Sequence, residues 1–408
     1  MISDEKYRKY IFMKLEEIRG RLSCLSEIIS DMDVLELIEE EVFDSEDELD
    51  CPMEYFEEII DQIFTKLRCR LGVLQPLIDD DKINEIMVNG PDNVFIERDG
   101  KLSRHNIAFD SVEELEEIIR NIAAGVHREI NEMNPIVDAR LPSGSRVNGV
   151  YKNVAINGPI LTIRKFRKKN ISMSQLVQYG TLTRECACFL ETLVRCGYNI
   201  FVSGGTSSGK TTFLNALSEY IPRGERVVVI EDSAELKMDH IENLVQMECH
   251  NANAMGQGSV TMDMLIRTSL RMRPDRIIVG EVRGKEVAQM LDAMNTGHDG
   301  SFSTGHGNSV YGMLRRLEAM YRMSVDIPMD AIRAQIVEGM DIIIHLGRMS
   351  DGTRKVVEIA EIIDYEKEKY IINPLFKLND QMILSYTGNP IKTRDKLRLR
   401  GNEDDLRL

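Results

Sequence analysis

The sequence predicts an α/β fold in which helices cover both faces of a mostly parallel sheet, and three observations predict it. From about residue 171 onward, short apolar stretches alternate with helical patterns, which is typical of parallel sheets. Two of the stretches, residues 227–230 and 277–279, are fully apolar, as strands buried on both faces are. A third stretch, residues 200–202, leads directly into a glycine-rich turn and then a helical segment.

The glycine-rich turn fits the phosphate-binding pattern G-x-x-x-x-G-K-[ST]. Its residues are Gly204, Gly205, Thr206, Ser207, Ser208, Gly209, Lys210 and Thr211, followed by Thr212. The glycines let backbone N–H groups turn toward phosphates, Lys210 can reach the terminal phosphates, and the Thr211 hydroxyl can bind Mg²⁺. The alternative is an ordinary turn between a strand and a helix. We favour a nucleotide site, because a strand precedes this pattern and a helix follows it.

Composition and charge argue against several classes of protein. The chain has 408 residues, of which 43% are hydrophobic, enough for two or three domains. Its net charge of -16 opposes extended nucleic acid or an anionic membrane as the default partner. The seven cysteines include no C-x-x-C pair, which favours reduced thiols over disulfides or a zinc site. With no signal-peptide pattern and no apolar run of membrane length, we expect a cytosolic protein that is at most peripheral to a membrane.

Residues 1–70 predict a helical region. Apolar residues spaced three and four apart form a seam, made of Ile11, Leu15, Ile18, Leu22, Leu25 and Ile29. A second seam consists of Phe56, Ile59, Ile60, Ile63 and Leu67. The acidic stretch at residues 39–50 is typical of a solvated connector. We favour packing of the two seams on each other over docking of a partner protein.

Residues 71–170 predict a smaller α/β domain. It would contain a hairpin around residues 86–97, a helix over residues 112–124 and a strand at residues 160–163. The basic run at residues 164–170 marks its boundary; its charges could contact phosphate, but a solvated linker is the simpler interpretation.

Two arginines of this domain, Arg140 and Arg146, lie in a segment rich in turn formers, residues 138–148. We interpret that segment as a loop. Composition alone leaves open whether these arginines are solvated on the surface or bind an anion.

Three strands of the larger domain deliver polar residues to one sheet edge. Glu231 and Asp232 follow one apolar strand, Glu281 follows another, and the glycine-rich turn follows the third. Ligands of parallel sheets bind beyond the carboxyl ends of the strands. Carboxylates at that edge can position a metal-bound triphosphate and an attacking water. The alternative for Glu281 is an ion pair with Arg283 at the strand end.

The remainder of the larger domain contains two histidines and further strands. His298 and His306 lie among glycines and hydroxyls. Their spacing does not decide between a structural role and a functional one, in which a histidine senses a phosphate or carries a proton near neutral pH. Residues 342–344 and 356–359, joined by a hairpin, extend the sheet, so we place the domain at residues 171–385. Residues 386–408 predict a charged tail that is partly disordered from Lys392 onward.

Four ordered segments, residues 204–212, 229–236, 270–283 and 296–300, resemble the type II/type IV secretion ATPase family. The most similar branch is the CpaF-type ATPases of tight-adherence pilus systems. The resemblance extends over about residues 71–346.

This resemblance implies a RecA-like ATPase domain hinged to an N-terminal domain. It also implies a homo-hexamer that uses ATP and Mg²⁺ to drive pilus assembly or secretion across the bacterial envelope. Such a motor is cytoplasmic and peripheral at the inner face of the cytoplasmic membrane, where its partner is a platform protein.

The resemblance also implies roles for individual residues. Lys210 and Thr211 match the Walker A motif, Glu231 and Asp232 the aspartate box, Glu281 the Walker B glutamate, and residues His298 to His306 the histidine box. Arg140 and Arg146 match arginines that approach the phosphates from the N-terminal domain.

At three positions this sequence has a glycine where other ATPases commonly have a different residue. Gly280 stands where a generic P-loop ATPase has a metal-associated aspartate, which leaves the metal to Thr211 with Glu231 or Asp232. Gly305 and Gly307 flank His306 and predict a more mobile loop.

Two other classes of function remain as alternatives. A nucleic-acid translocase could use a similar core, but the acidic charge and the absence of tryptophan disfavour it, so we expect no nucleic-acid partner. A nucleotide-dependent scaffold or switch with slow turnover is the other alternative.

Overall fold

The computed structural model describes residues 5–23, 30–43, 53–68, 71–98, 100–126, 128–166, 170–250 and 258–400. The chain divides into two compact units, Met1–Lys168 and Lys169–Leu408. Among the described residues, the helices are too short or too polar to span a bilayer.

The first unit begins with α1 (Glu5–Ser23), α2 (Asp31–Phe43) and α3 (Met53–Arg68). These helices share one apolar cluster, in which Ile18 of α1, Ile38 of α2 and Ile63 of α3 are fully buried. The two predicted seams therefore do pack together. Residues 39–43 belong to α2 rather than to a connector, because Val42 is buried in the same cluster. Leu25, Ile29 and residues 44–50 lie outside the described residues.

A six-stranded antiparallel sheet forms the rest of this unit, in the order β3-β2-β1-β6-β5-β4. Its elements are α4 (Gln75–Asp79), β1 (Ile83–Asn89), β2 (Val94–Arg98), β3 (Lys101–His105), α5 (Val112–Gly125), β4 (Ile136–Arg140), β5 (Arg146–Val150) and β6 (Ile160–Arg164). α5 begins after Ser111, whose hydroxyl accepts a hydrogen bond from the N–H of Glu114.

The predicted loop at residues 138–148 is mostly a hairpin. β4 and β5 pair along their length, and Arg140 faces Arg146 at the last pair before residues 141–145. The turn formers Pro142 and Gly144 are confined to this short connection, which is why composition suggested a longer loop.

The second unit contains a nine-stranded sheet in the order β15-β14-β13-β12-β7-β11-β10-β8-β9. Its helices are α6 (Met173–Gln178), α7 (Arg184–Arg195), α8 (Lys210–Ser218), α9 (Met262–Ser269), α10 (Glu286–Asn295), α11 (Val310–Arg322), α12 (Met329–Gly339) and α13 (Asp395–Leu399). Its strands are β7 (Ile200–Gly204), β8 (Arg226–Glu231), β9 (Asn243–Glu248), β10 (Arg276–Val279), β11 (Phe302–His306), β12 (Ile342–Arg348), β13 (Arg354–Glu366), β14 (Lys369–Leu378) and β15 (Leu384–Tyr386).

The strands from β12 to β9 are parallel, and the sheet is covered on both faces as predicted. Along β8, Val227 and Val229 belong to one core cluster, whereas Val228 and Ile230 belong to another. Successive side chains of a strand point to opposite faces, so the two clusters lie on opposite sides of the sheet. β13, β14 and β15 extend the sheet in antiparallel pairing.

Residues 391–400 are docked on the second unit rather than disordered. The buried carboxylate of Glu361 accepts hydrogen bonds from the N–H groups of Lys392 and Thr393. The hydroxyl of Tyr198 donates to the carbonyl of Thr393 at 2.5 Å. A buried carboxylate requires such donors, and the sequence pattern gave no sign of this pairing. Residues 401–408 lie outside the described part of the chain.

Candidate active site

The phosphate-binding loop, residues 204–211 (the P-loop below), connects β7 to α8. Gly209 precedes the helix with φ of 93°, and Ser207 has φ of 57°. A Cβ at Gly204 would lie 2.5 Å from the Ser208 Oγ and 2.7 Å from the Leu346 carbonyl oxygen. Glycine is therefore required at residue 204 by close packing and is favoured at residue 209 by its backbone conformation.

Lys210 lies in the first turn of α8 and is buried. Its Nζ contacts the carbonyl oxygens of Gly204 at 3.3 Å and Gly205 at 2.9 Å, and lies 3.4 Å from the Nδ1 of His306. These partners satisfy a buried ammonium group, which would otherwise be costly. They hold the positive charge at the mouth of the P-loop.

His306, the last residue of β11, lies between Lys210 and Glu281. Its Nε2 is 2.8 Å from the Glu281 Oε1. Burial and the charge of Lys210 lower the pKa of His306, although Glu281 acts in the opposite direction. The imidazole is therefore neutral at pH 7. A tautomer with hydrogen on Nε2 leaves the Nδ1 atom as an acceptor toward Lys210.

Glu281 also contacts Arg283, two residues further on. The Nη2 of Arg283 is 2.8 Å from the Glu281 Oε2, and its Nη1 is 3.1 Å from the Asp232 Oδ2. A hydrogen bond from Arg283 to Glu281 raises the pKa of the arginine. The ion pair considered as an alternative is thus present, but it coexists with the contact to His306.

Glu231 is buried and holds the turn after β8. Its Oε1 accepts hydrogen bonds from the N–H groups of Glu235 at 2.9 Å and Leu236 at 3.1 Å. A Cβ at Gly280 would lie 2.9 Å from the Glu231 Cγ, so glycine at this position makes room for the Glu231 side chain. Asp232, by contrast, is half exposed at the sheet edge.

Within the described residues, no group of three acidic, histidine or cysteine side chains forms a ready metal site. Thr211 and Asp232 nevertheless provide a hydroxyl and a carboxylate, and both are oxygen ligands of the kind that Mg²⁺ prefers. Such a small protein donor set suits Mg²⁺, which usually takes only one or two carboxylates and completes its shell with phosphate and water oxygens.

The two histidines that the sequence left undecided have different environments. The Nδ1 of His298 lies 3.1 Å from the Ala293 carbonyl oxygen, so His298 packs on the end of α10. Gly305 lies inside β11, where a Cβ would come within 2.9 Å of the Phe201 ring. At Gly307 a Cβ would lie 2.7 Å from the Ser203 Oγ. Both glycines therefore allow close packing, and the expected mobile loop around His306 is in fact the end of a strand.

Arg354 was missed by the sequence interpretation. It begins β13, and its Nε donates a hydrogen bond to the Ser207 carbonyl of the P-loop at 3.3 Å. The available signal is a pair of arginines, Arg348 and Arg354, each three residues from Asp351. On its own, that turn predicts only a hairpin that extends the sheet.

Arg140 and Arg146 belong to the first unit. The Nε of Arg140 donates to the Gly144 carbonyl of its own hairpin at 3.1 Å. Their action on a nucleotide remains a prediction.

The second unit has the RecA-like ATPase fold. The X-ray structure of the Legionella pneumophila ATPase DotB is similar, with a TM-score of 0.52 and 21% identity over 72% of this chain and 80% of that chain. The core of the chain, residues 69–370, matches the protein family described as type II/IV secretion system protein.

Two relatives agree with this match. The probable conjugal transfer protein TrbB of Sinorhizobium fredii is 34% identical over 76% of this chain and 93% of its own length. An uncharacterized protein of Methanocaldococcus jannaschii is 45% identical over 57% of this chain, but the match spans only 33% of that longer protein. The chain belongs to the type II/IV secretion system protein family, the family of secretion ATPases that its four motifs resemble.

Proposed function

We propose that this chain is the ATP-hydrolysing subunit of a hexameric motor that powers pilus assembly or protein secretion across the cell envelope. One observation carries the proposal: the P-loop lysine, His306 and Glu281 lie in continuous contact at the carboxyl ends of β7, β11 and β10. This edge is where parallel sheets bind ligands and where a carboxylate can act on a terminal phosphate.

The P-loop would bind the phosphates of ATP through the backbone N–H groups of Gly205, Thr206, Ser207, Ser208, Gly209, Lys210, Thr211 and Thr212. On binding, the Lys210 ammonium would exchange its carbonyl partners and His306 for oxygens of the β- and γ-phosphates. The neutral imidazole of His306 can make this exchange without leaving an uncompensated charge beside Glu281.

Mg²⁺ would be held by the Thr211 hydroxyl and by Asp232 or Glu231. Asp232 suits this role better, because the Glu231 carboxylate is buried and already accepts hydrogen bonds from two backbone N–H groups, whereas Asp232 is half exposed and contacts Arg283 through its Oδ2 atom. When bound, the ion would neutralise charge on the phosphate oxygens.

Glu281 would orient and deprotonate the attacking water. Its Oε2 accepts a hydrogen bond from Arg283 and its Oε1 lies 2.8 Å from the His306 Nε2, which limits the movement of the carboxylate before the nucleotide arrives. A base that is already oriented lowers the cost of reaching the reactive geometry.

The proposal extends to the biological setting. We place the chain in the CpaF-type branch, in the cytoplasm at the inner face of the membrane, with a membrane platform protein as its partner and without a nucleic-acid substrate. The resemblance of the four motifs supports this setting. The net charge of -16 also disfavours nucleic acid.

The test compares Lys210→Ala and Glu281→Gln with the wild-type protein. Lys210→Ala should abolish ATP turnover, because it removes the charge nearest the transferred phosphoryl group. Glu281→Gln should bind ATP normally yet lose hydrolysis, because an amide cannot deprotonate water. Wild-type turnover in Lys210→Ala would contradict the site, and loss of nucleotide binding in Glu281→Gln would make Glu281 structural.

Two further measurements separate the motor from its alternatives. A size measurement with a non-hydrolysable ATP analogue should give a hexamer. Turnover should rise with a platform protein and stay unchanged with single-stranded DNA, whereas a translocase would respond to DNA and a scaffold would respond to neither.

A further inference from the structure

The hairpin of β12 and β13 places Arg354 beside the P-loop. The Nε of Arg354 donates to the Ser207 carbonyl at 3.3 Å, and its Cγ lies 3.8 Å from where a Cβ of Gly209 would be. Ser207 has φ of 57°, a left-handed conformation that costs a residue with a side chain about 1–2 kcal/mol. Arg354 therefore contacts the P-loop at a strained residue.

The turn that carries Arg354 is held by its own hydrogen bonds. The N–H of Met349 donates to the Thr353 carbonyl at 2.8 Å, and the Asp351 Oδ1 accepts from the N–H and the hydroxyl of Thr353 at 2.9 and 2.6 Å. The Arg354 side chain thus extends from a backbone that is fixed on both sides.

Arg348 faces Arg354 at the last pair of this hairpin. Like charges directly opposite each other destabilise an antiparallel pair. In the part of the chain that the structure describes, neither arginine forms an ion pair with a carboxylate. Destabilising pairs of this kind concentrate at functional sites. An anion bound beside the hairpin would offset the repulsion between Arg348 and Arg354.

The position of the hairpin indicates which phosphate it would meet. β7 lies between β11 and β12 in the sheet. Lys210 contacts His306 of β11, so the β- and γ-phosphates that Lys210 reaches would lie toward β11. The P-loop also holds the α-phosphate. The α-phosphate and the nucleoside would therefore extend from the P-loop toward the β12 side of the sheet, which carries Arg354.

We propose that Arg354 is a nucleotide-binding residue that contacts the α-phosphate while its Nε fastens the P-loop through Ser207. This inference rests on the proposed ATPase function. The α-phosphate does not change during hydrolysis, so Arg354 strengthens binding of ATP and ADP alike. Its removal raises KM rather than lowering the rate of the chemical step.

The test is Arg354→Gln, because glutamine keeps an N–H donor for the Ser207 carbonyl but has no charge. We expect the Kd for ADP and the KM for ATP to rise about tenfold, with kcat falling by less than about threefold. In addition, wild-type protein without divalent ions should distinguish the two diastereomers of ADP that carry sulfur on the α-phosphate. Arg354→Gln should lose most of that distinction.

Lys355→Gln is the matched control, since it removes the same charge from the next residue. The Nζ of Lys355 instead contacts the carbonyls of Gly180 at 3.2 Å and Met382 at 3.0 Å. We expect this variant to keep the wild-type ADP affinity and diastereomer ratio.

Several outcomes would overturn the inference. If Arg354→Gln binds ADP and both diastereomers as the wild type does, Arg354 does not contact the α-phosphate. If kcat falls as much as affinity while the diastereomer ratio is kept, Arg354 only supports the P-loop structurally. Failure of the wild-type protein to bind ADP would overturn the proposed function, and the inference with it.

Discussion

Two hairpins of the molecule, β4–β5 in the first unit and β12–β13 in the second, end in facing arginines and are closed by the same turn. In the first, the N–H of Leu141 donates to the Ser145 carbonyl at 2.9 Å, and in the second the N–H of Met349 donates to the Thr353 carbonyl at 2.8 Å. Each turn contains a glycine with positive φ, 87° at Gly144 and 84° at Gly352.

The hairpins differ in where their arginines are attached. The Nε of Arg140 returns to its own turn, at the Gly144 carbonyl, whereas the Nε of Arg354 reaches the P-loop at Ser207. Two hairpins with the same turn can thus differ in whether the arginine at the end of the strand bonds to its own turn or to another segment. We expect the arginines of the first hairpin to act on the rate, and Arg354, which contacts the P-loop, to act on nucleotide affinity.

The largest effect should come from the first hairpin. Arg140→Ala, and separately Arg146→Ala, should lower kcat by about 10³ to 10⁵, because a guanidinium on the γ-phosphate neutralises charge that develops during transfer. Binding of a fluorescent ATP analogue should stay within a few-fold of wild type. Steady-state turnover and a binding titration on the same preparations measure both quantities.

Mixing either arginine variant with Lys210→Ala protein sharpens this result. Restored turnover would mean that the arginine acts across subunits, and no restoration that it acts within its own subunit. If both arginine variants hydrolyse ATP at the wild-type rate, the first hairpin has no part in the chemistry. The expected difference between the two hairpins, one acting on rate and the other on affinity, would then be wrong.

The next largest effect concerns the two turns. Gly352→Ala should lower the free energy of unfolding by about 1–2 kcal/mol, because alanine is strained at this φ although nothing lies within 4 Å of the new Cβ. Gly144→Ala should cost more, since its Cβ would also lie 3.3 Å from the Phe166 ring. Urea unfolding of each variant checks the order, and equal costs would mean that the Phe166 ring moves aside freely.

The smallest effect is a pH dependence of stability in the second unit. Burial lowers the pKa of His345, and burial together with Lys210 lowers that of His306, so both are neutral in the folded protein. In the unfolded chain they take up protons at the ordinary pKa of 6.5. The contribution of these histidines to the free energy of unfolding is therefore fully present above about pH 6.5. It is lost as the pH falls through the lowered pKa values that the two histidines have in the folded protein.

Melting temperatures at about pH 7.5 and about pH 5.5 measure this loss on the two sides of the ordinary histidine pKa. His345→Gln should have a smaller difference between the two values, because glutamine can still contact the Ser203 hydroxyl but does not titrate. An unchanged difference would assign the dependence to other groups.

Local patterns made the ligand end of the larger sheet predictable. The P-loop and the apolar strands before Glu231 and Glu281 each depend on residues adjacent in sequence, and parallel strands then bring their ends together. The contacts that were missed join distant segments. Arg354 meets Ser207 across 147 residues, and no local pattern encodes such a meeting. The extent of α2 was missed for a related reason, because its acidic residues concealed the few apolar ones that pack on α1 and α3.

The docking of residues 391–400 has a consequence for the order in which the chain can fold. The hydrogen bond from Tyr198 to Thr393 spans 195 residues. The Glu361 carboxylate likewise lacks these hydrogen-bond donors until the N–H groups of Lys392 and Thr393 have been synthesised. A ribosome adds about 5–20 residues per second, so β7 emerges roughly ten seconds or more before the segment that covers its starting end. We expect the first unit to fold during synthesis, whereas the second exposes this edge to chaperones until residue 400 has been released from the exit tunnel.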